Sequence, residues 1–373
     1  MLTKCHLSQL PYAQAKKYGD RTVFVYREFG GTTWKEISWK GFAEKVKRVS
    51  NALLNLGVHV QENIGVFSQN SVQYIFTDFG AFGIRAVTIP FYATSSEEQI
   101  QYVINDASIR ILFVGEQEQY DKARRVQALC PSLERIIIYD QSVIRANHDT
   151  TSIYFSDFLK MADDYPRQTE VETLWKQANE EDLANILYTS GTSGDSKGVM
   201  LTYSQFHAAI EANDKCVPVG ESDRVITFLP ITHIFERGWD FLSLYEGATL
   251  IINTNPREIQ QSVRETHPTC MSAVPRFWEK VYAVFRRSLI KFLLSRGNSF
   301  FLPLKLVQAI TSAICQKASD HLSLLPSNIR LQTIQFSHLS ARNWVFSSQT
   351  SSQPQVLRFR QKWRFSSIPS VSR

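Results

Sequence analysis

Tyr188-Thr189-Ser190-Gly191-Thr192-Ser193-Gly194-Asp195-Ser196-Lys197-Gly198-Val199-Met200-Leu201-Thr202 is a run of hydroxyls and glycines ending in a single lysine. Glycines let successive backbone N–H groups turn toward one point, hydroxyls add short donors, and the ammonium adds positive charge. Together they suit a polyphosphate. Ala184 to Tyr188 and Gly198 to Thr202 are short apolar runs that read as strands, so the loop joins strand to strand. A Walker loop requires G-x-x-x-x-G-K-[ST] leading into a helix. Here Gly191, Gly194 and Lys197 lie three apart and Gly198 follows the lysine. The hydrolase elbow G-x-S-x-G is excluded as well, because Gly191-Thr192-Ser193-Gly194 is one residue short.

Two further blocks follow in order. Residues 227–240 read Thr-Phe-Leu-Pro-Ile-Thr-His-Ile-Phe-Glu-Arg-Gly-Trp-Asp, and residues 272–282 read Ser-Ala-Val-Pro-Arg-Phe-Trp-Glu-Lys-Val-Tyr. The loop resembles the Y-T-S-G-T-[ST]-G-x-x-K-G phosphate signature of the AMP-forming adenylating (AMP-binding) superfamily. The second and third blocks resemble the F-L-P-[LI]-[ST]-H-x-F-E-R and V-P-R-x-[FW]-E-K-[VI]-Y segments of its long-chain fatty acyl-CoA synthetase subgroup. The resemblance runs from about residue 7 to about residue 290, an N-terminal portion of such an enzyme.

Outward from the loop, apolar periodicity alternates between helix and strand. Leu10–Tyr18 reads as a helix, and Arg21–Phe29 with Thr32–Ile37 as a hairpin turning on Gly30-Gly31. Ser38–Leu56 places Phe42, Val46, Val49, Ala52, Leu53 and Leu56 on one helical face that stops at Gly57. Strands at Ile64–Phe67, Ala86–Ile89, Ile109–Val114 and Arg135–Tyr139 alternate with helices at Ser71–Gly83, Ser96–Asn105 and Glu116–Leu129. Residues 147–182 read as a polar connector. Strands resume at Arg224–Phe228, Ala248–Ile252 and Thr269–Ala273. The expectation is an α/β fold with layered αβα order and a largely parallel sheet, the large N-terminal domain of an adenylate-forming enzyme in truncated form.

Composition bounds the function. Five scattered cysteines without a C-x-x-C pair point to a reducing compartment and argue against a disulfide scaffold or zinc site. The first ten residues lack the apolar stretch of a signal peptide, and no window reaches the ~18 apolar residues of a membrane span. The expected location is cytoplasmic, with peripheral membrane association left open for a fatty substrate. The net charge of +6 is concentrated at one end. Residues 281–373 carry thirteen Lys and Arg against one acid, Asp320, so the rest is mildly acidic and no nucleic-acid partner is expected. The tail is also rich in serine, and the family pattern fades there. We therefore divide the chain into residues 1–290, the N-terminal part of an AMP-binding domain with its phosphate loop at 188–198, and residues 291–373, an atypical basic Ser/Arg-rich tail. The tail reads as disordered or, preferentially, as translated out of frame; an RNA- or membrane-surface arm with interleaved Arg, Trp and Phe is the alternative. The small C-terminal lid domain of the family is expected to be absent from this sequence.

The resemblance implies a two-step reaction: ATP-dependent activation of a long-chain fatty acid to acyl-AMP, then transfer to coenzyme A. Alternatives are a non-catalytic nucleotide- or lipid-binding remnant, or a fatty-acyl-AMP ligase with another acceptor. The implied cofactors are ATP, Mg²⁺ and coenzyme A as co-substrate. Thr189, Ser190, Thr192 and Ser193 would meet phosphate oxygens, Gly191, Gly194 and Gly198 would permit close approach, and Lys197 would contact the outer phosphates. Thr189 would also help place Mg²⁺, and Asp195 would face solvent. His233 would sit beside the acyl chain and adenylate, with a satisfied core histidine as the alternative. Phe235 and Trp239 line the acyl channel in one reading and the core in the other. Glu236 and Arg237 are either an interior ion pair bracing that wall or a helix-start acid with a surface base. His207 and His267 lack partners at metal-ligand spacing.

Overall fold

The structure is a computed structural model that describes residues 5–189, 196–217 and 219–295, and the strand segments 331–336, 344–349 and 355–359. It divides into two compact units, Met1–His267 and Pro268–Arg373.

The first unit contains α1 (Leu10–Tyr18), the hairpin β1 (Thr22–Tyr26) and β2 (Lys35–Ser38), α2 (Trp39–Asn55), β3 (Asn63–Phe67), α3 (Val72–Gly83), β4 (Val87–Phe91) and α4 (Glu97–Asp106). It continues with β5 (Ile111–Val114), α5 (Gln117–Gln127), β6 (Arg135–Ile138), β7 (Ser152–Tyr154), α6 (Phe155–Asp164) and α7 (Gln168–Lys176). The hairpin β8 (Leu183–Thr189) and β9 (Lys197–Thr202) follows, then α8 (Tyr203–Asp214), β10 (Arg224–Thr227), α9 (Ile234–Tyr245), β11 (Thr249–Ile252) and α10 (Ile259–Thr266).

These strands form two sheets. One has the order β7-β6-β5-β3-β4-β8-β9 and is parallel except for its edge strand β9. In the other, β10, β11 and β1 run parallel and β2 closes the edge antiparallel. Parallel neighbours need a crossover connection, usually a helix, which accounts for most of the alternation along the chain. On one face of the seven-stranded sheet, α4 and α5 bury Ile100, Ile104, Tyr120 and Val126 against Phe67, Ile89, Leu112 and Ile136.

Helices α2 and α3 serve both sheets. Phe42 of α2 meets Phe24 of β1 edge-on at 4.9 Å and Phe79 of α3 at 5.4 Å. Thr77 of α3 accepts from Tyr139, next to β6, and Asp78 of α3 accepts from Thr88 of β4. Of the α2 face predicted from spacing, Phe42, Val46, Val49, Ala52 and Leu53 are all at 0% exposure, while Leu56, the C-cap, is only partly buried. Buried on every side, α3 is apolar nearly all round, and Asp78 is its single charge.

One expectation is corrected. Residues 147–182 are not an irregular connector, since β7, α6 and α7 lie within them. Phe155, Phe158, Leu159 and Ala162 recur at helical spacing and are buried, an amphipathic stripe that the flanking polar residues obscure. In the second unit, β12 (Cys270–Ala273) precedes α11 (Pro275–Ser295), and β13 (Leu331–Phe336), β14 (Trp344–Gln349) and β15 (Gln355–Phe359) pair antiparallel in the order β13-β14-β15-β12.

Candidate functional site

The phosphate-type loop lies at the tip of the β8–β9 hairpin. Pairing runs from Leu183↔Thr202 to Thr189↔Lys197, so the threonine and the lysine that bracket the loop stand directly opposite each other. Both are exposed. Ser190, Gly191, Thr192, Ser193, Gly194 and Asp195 lie outside the described residues. Gly198 pairs with Tyr188, and a Cβ there would sit 2.8 Å from the Ile186 Cγ2 and 3.2 Å from the Tyr188 Cζ. A side chain here would crowd the hairpin's own residues. The Tyr188 hydroxyl donates to Asp106, and burial together with that carboxylate raises its pKa. Thr202 and Gln205 close a capping box at the start of α8, which fixes the far end of the hairpin.

The second constellation is the turn 228–233 at the carboxyl end of β10, where open α/β sheets place their ligands. Side chains take five of the backbone polar groups here. Glu236 accepts from the N–H of Phe228 at 2.9 Å and of Leu229 at 3.3 Å. Asn70, just past β3 of the other sheet, donates to the Leu229 carbonyl at 2.7 Å and accepts from Ile231 N–H at 3.0 Å. Arg237 donates through Nε to the Ile231 carbonyl at 3.2 Å. His233 is the N-cap of α9, its Nδ1 accepting from the Phe235 N–H at 3.2 Å.

His233 is exposed, which rules out the core-histidine alternative. Phe235 is half-buried, whereas Trp239 is buried at 5% exposure. Of these two aromatics, Phe235 is the one nearer His233 in sequence and partly at the surface. Glu236 and Arg237 are both interior at 0% exposure, so the surface-base reading is wrong. They are not each other's partner either: Glu236 holds the turn, while Arg237 pairs with Asp78 at 2.6 Å and donates to the Tyr74 hydroxyl at 3.3 Å. Burial raises the Asp78 pKa, against the opposing pull of Arg237 and the Thr88 hydroxyl. One turn along α9, Asp240 accepts from Thr227 at 2.6 Å, and burial pushes its pKa up to about 7 despite that bond and the nearby Arg237.

Asn70, Asp78 and Asp240 went unnoticed in the sequence. Asp78 had a signal, a lone charge in the otherwise uncharged run Val72–Gly83. Asn70 had only its place just beyond a strand. His207 is hydrogen-bonded to Glu180 at 2.6 Å and packs edge-on to His6. Among the described residues no group of three or more His, Cys, Asp or Glu could hold a metal ion, and no helix is long and apolar enough to cross a membrane.

Comparison with known proteins supplies the context. Residues 12–364 match the family of AMP-binding enzymes. The long-chain-fatty-acid–CoA ligase ACSBG2 of Xenopus laevis is 27% identical over 284 residues, which is 74% of this chain and 38% of that protein. Fatty acyl-CoA synthetase A of Dictyostelium discoideum is 29% identical over 67% of this chain and 37% of its own length. The chain thus spans about two fifths of the curated relatives it matches. The anthranilate CoA ligase AuaEII, solved with anthranoyl-AMP, superposes with a TM-score of 0.62 at 18% identity, covering 72% of this chain and 49% of its own. The long-chain-fatty-acid-CoA ligase FadD1 of Archaeoglobus fulgidus superposes at 0.59 and 21%, covering 71% and 50%. These superpositions establish a common fold. From the match across most of its length, this chain belongs to the family of AMP-binding enzymes.

Proposed function

We propose that the chain carries the nucleotide-phosphate and acyl-wall portion of an enzyme that activates a long-chain fatty acid with ATP to acyl-AMP and then to acyl-CoA. The observation that carries this reading is the hairpin end at which Thr189 and Lys197 face each other across a loop of hydroxyls and glycines. Bringing a carboxylate to the α-phosphate joins two anions, so phosphate charge must be neutralised without the catalyst being consumed. Lys197 supplies a cation at the loop's exit and Thr189 a hydroxyl at its entrance; Ser190, Gly191, Thr192, Ser193 and Gly194 would complete the cradle with hydroxyl and backbone donors. The Thr189 hydroxyl also fits a magnesium ion held mainly by phosphate oxygens. Bound there, magnesium would offset the charge on the leaving pyrophosphate. His233, exposed beside the half-buried Phe235, would face the acyl chain and adenylate.

Calorimetric titration with Mg-ATP tests the nucleotide reading. The chain is expected to bind, and Lys197→Ala to weaken binding at least tenfold with folding intact. Binding that Lys197→Ala leaves unchanged would overturn the assignment. ATP–pyrophosphate exchange stimulated by a long-chain fatty acid tests the chemistry. A second reading is that the chain holds nucleotide or lipid without turnover. ATP binding without exchange would select it. Dependence on coenzyme A separates both from a fatty-acyl-AMP ligase with another acceptor. We also propose residues 1–290 as the part that bears this function, with 291–373 as a basic tail.

A further inference from the structure

Asn70, Asp78 and Arg237 lie outside the loop and touch no residue assigned to the ligand, yet they join the two constellations. Asn185 lies on β8, the strand that leads into the phosphate loop. Its side-chain amide donates to the Thr88 hydroxyl, and Thr88 donates to Asp78 Oδ1 at 2.7 Å. Asp78 Oδ2 receives Arg237 Nη1 at 2.6 Å, and Arg237 Nε donates to the Ile231 carbonyl at 3.2 Å. The Ile231 N–H then donates to Asn70 at 3.0 Å. All six residues are buried, none above 7% exposure. In a low-dielectric interior, breaking one of these bonds leaves a buried polar group unpaired at the cost of its desolvation. It therefore sets the distance between the hairpin base and the turn before His233.

Only two residues past Ile231, His233 uses the Nδ1 lone pair to cap α9. With Nδ1 an acceptor, the neutral ring carries its proton on Nε2.

We infer that Asn70 and Arg237 are positioning residues. By gripping Ile231 from its two sides, they fix the turn so that His233 presents an outward Nε2–H donor toward an oxygen of the acyl-adenylate. This inference rests on the function proposed above for the recognised ligand, but the placement of the ring does not. Asn70 is the better handle, because removing Arg237 strands a buried carboxylate and endangers folding.

Two measurements test it. In ¹⁵N-histidine spectra of the ligand-free protein, His233 is expected as a single Nε2–H tautomer. Asn70→Ala is expected to convert it to a mixture, and Asn70→Asp, which keeps the acceptor for Ile231 N–H, to restore it in part. Identical His233 spectra in wild type and Asn70→Ala would overturn the inference whatever the ligand. In binding assays, a non-hydrolysable palmitoyl sulfamate of adenosine is expected to lose at least tenfold in affinity on Asn70→Ala, with Mg-ATP held within threefold. Equal losses for both probes, or none, would also overturn it. If the wild type binds neither probe, the function reading fails, while the spectra still decide the geometry.

Discussion

The Arg237 guanidinium lies 2.6 Å from the Asp78 carboxylate, with neither side chain reaching solvent. Breaking such a pair leaves one uncompensated charge in the interior, which costs about 3–5 kcal/mol. Asp78→Ala is expected to lower stability by that amount in urea unfolding. The double variant Asp78→Leu with Arg237→Met, which buries no charge at these two positions, is expected to recover much of the loss. A double variant no more stable than Asp78→Ala would show that the pair's hydrogen bonds, and not its charges, dominate.

Asp240 makes stability depend on pH. Its folded pKa near 7 lies above its ordinary value because burial disfavours the charged form. The unfolded chain then holds fewer protons than the folded one between about pH 4 and pH 7, so this residue's contribution is full below pH 4 and lost as pH rises through that window. The loss is on the order of 4 kcal/mol. Asp240→Asn keeps an acceptor for Thr227 and cannot ionise. Its melting temperature is expected to exceed the wild type's at pH 8 and to match it near pH 4. Parallel curves across that range would refute the assignment.

Gly198→Ala places a methyl group against Ile186 and Tyr188 inside the hairpin. Overpacking of this kind costs about 1–3 kcal/mol. The variant should melt earlier and also bind Mg-ATP more weakly, since the displaced strand carries Lys197. Weaker binding with an unchanged melting temperature would instead place Gly198 against the ligand.

Lys197→Ala should behave oppositely. The residue is exposed, and surface changes usually stay within about 0.5 kcal/mol. Lost nucleotide affinity at constant melting temperature is the expected pair of results, and a large drop in melting temperature would assign the lysine a structural role.

Much of this was legible beforehand. The α2 stripe of Phe42, Val46 and Val49 is a period that only a helix buries, and the apolar runs around residues 184–188 and 198–202 gave the hairpin. Helix α6 escaped because Asp157, Lys160, Asp163 and Asp164 interrupt its stripe when read linearly. Within the site, local chemistry pointed to Thr189, Lys197 and His233. Asp78 stood out only as a lone charge and Asn70 not at all, and neither pointed to its partner, since Ile231 and Arg237 lie about 160 residues away. The Glu236–Arg237 pairing failed for a related reason. Neighbours on a helix point to different sides, so each found its partner elsewhere.

Strand β1 lies beside β11, with Phe24 opposite Leu250. The seven-stranded sheet, by contrast, draws all its strands from residues 63–202. A growing polypeptide can thus complete that sheet early, while Val23, Phe24 and Val25 wait for a neighbour more than two hundred residues downstream. At ribosomal speeds of roughly 5–20 residues per second, the wait is on the order of ten seconds or longer. During synthesis the first hairpin can pack on α2 but keeps the β11-facing edge of β1 open, and a chain stopped before residue 249 would leave that edge unpaired.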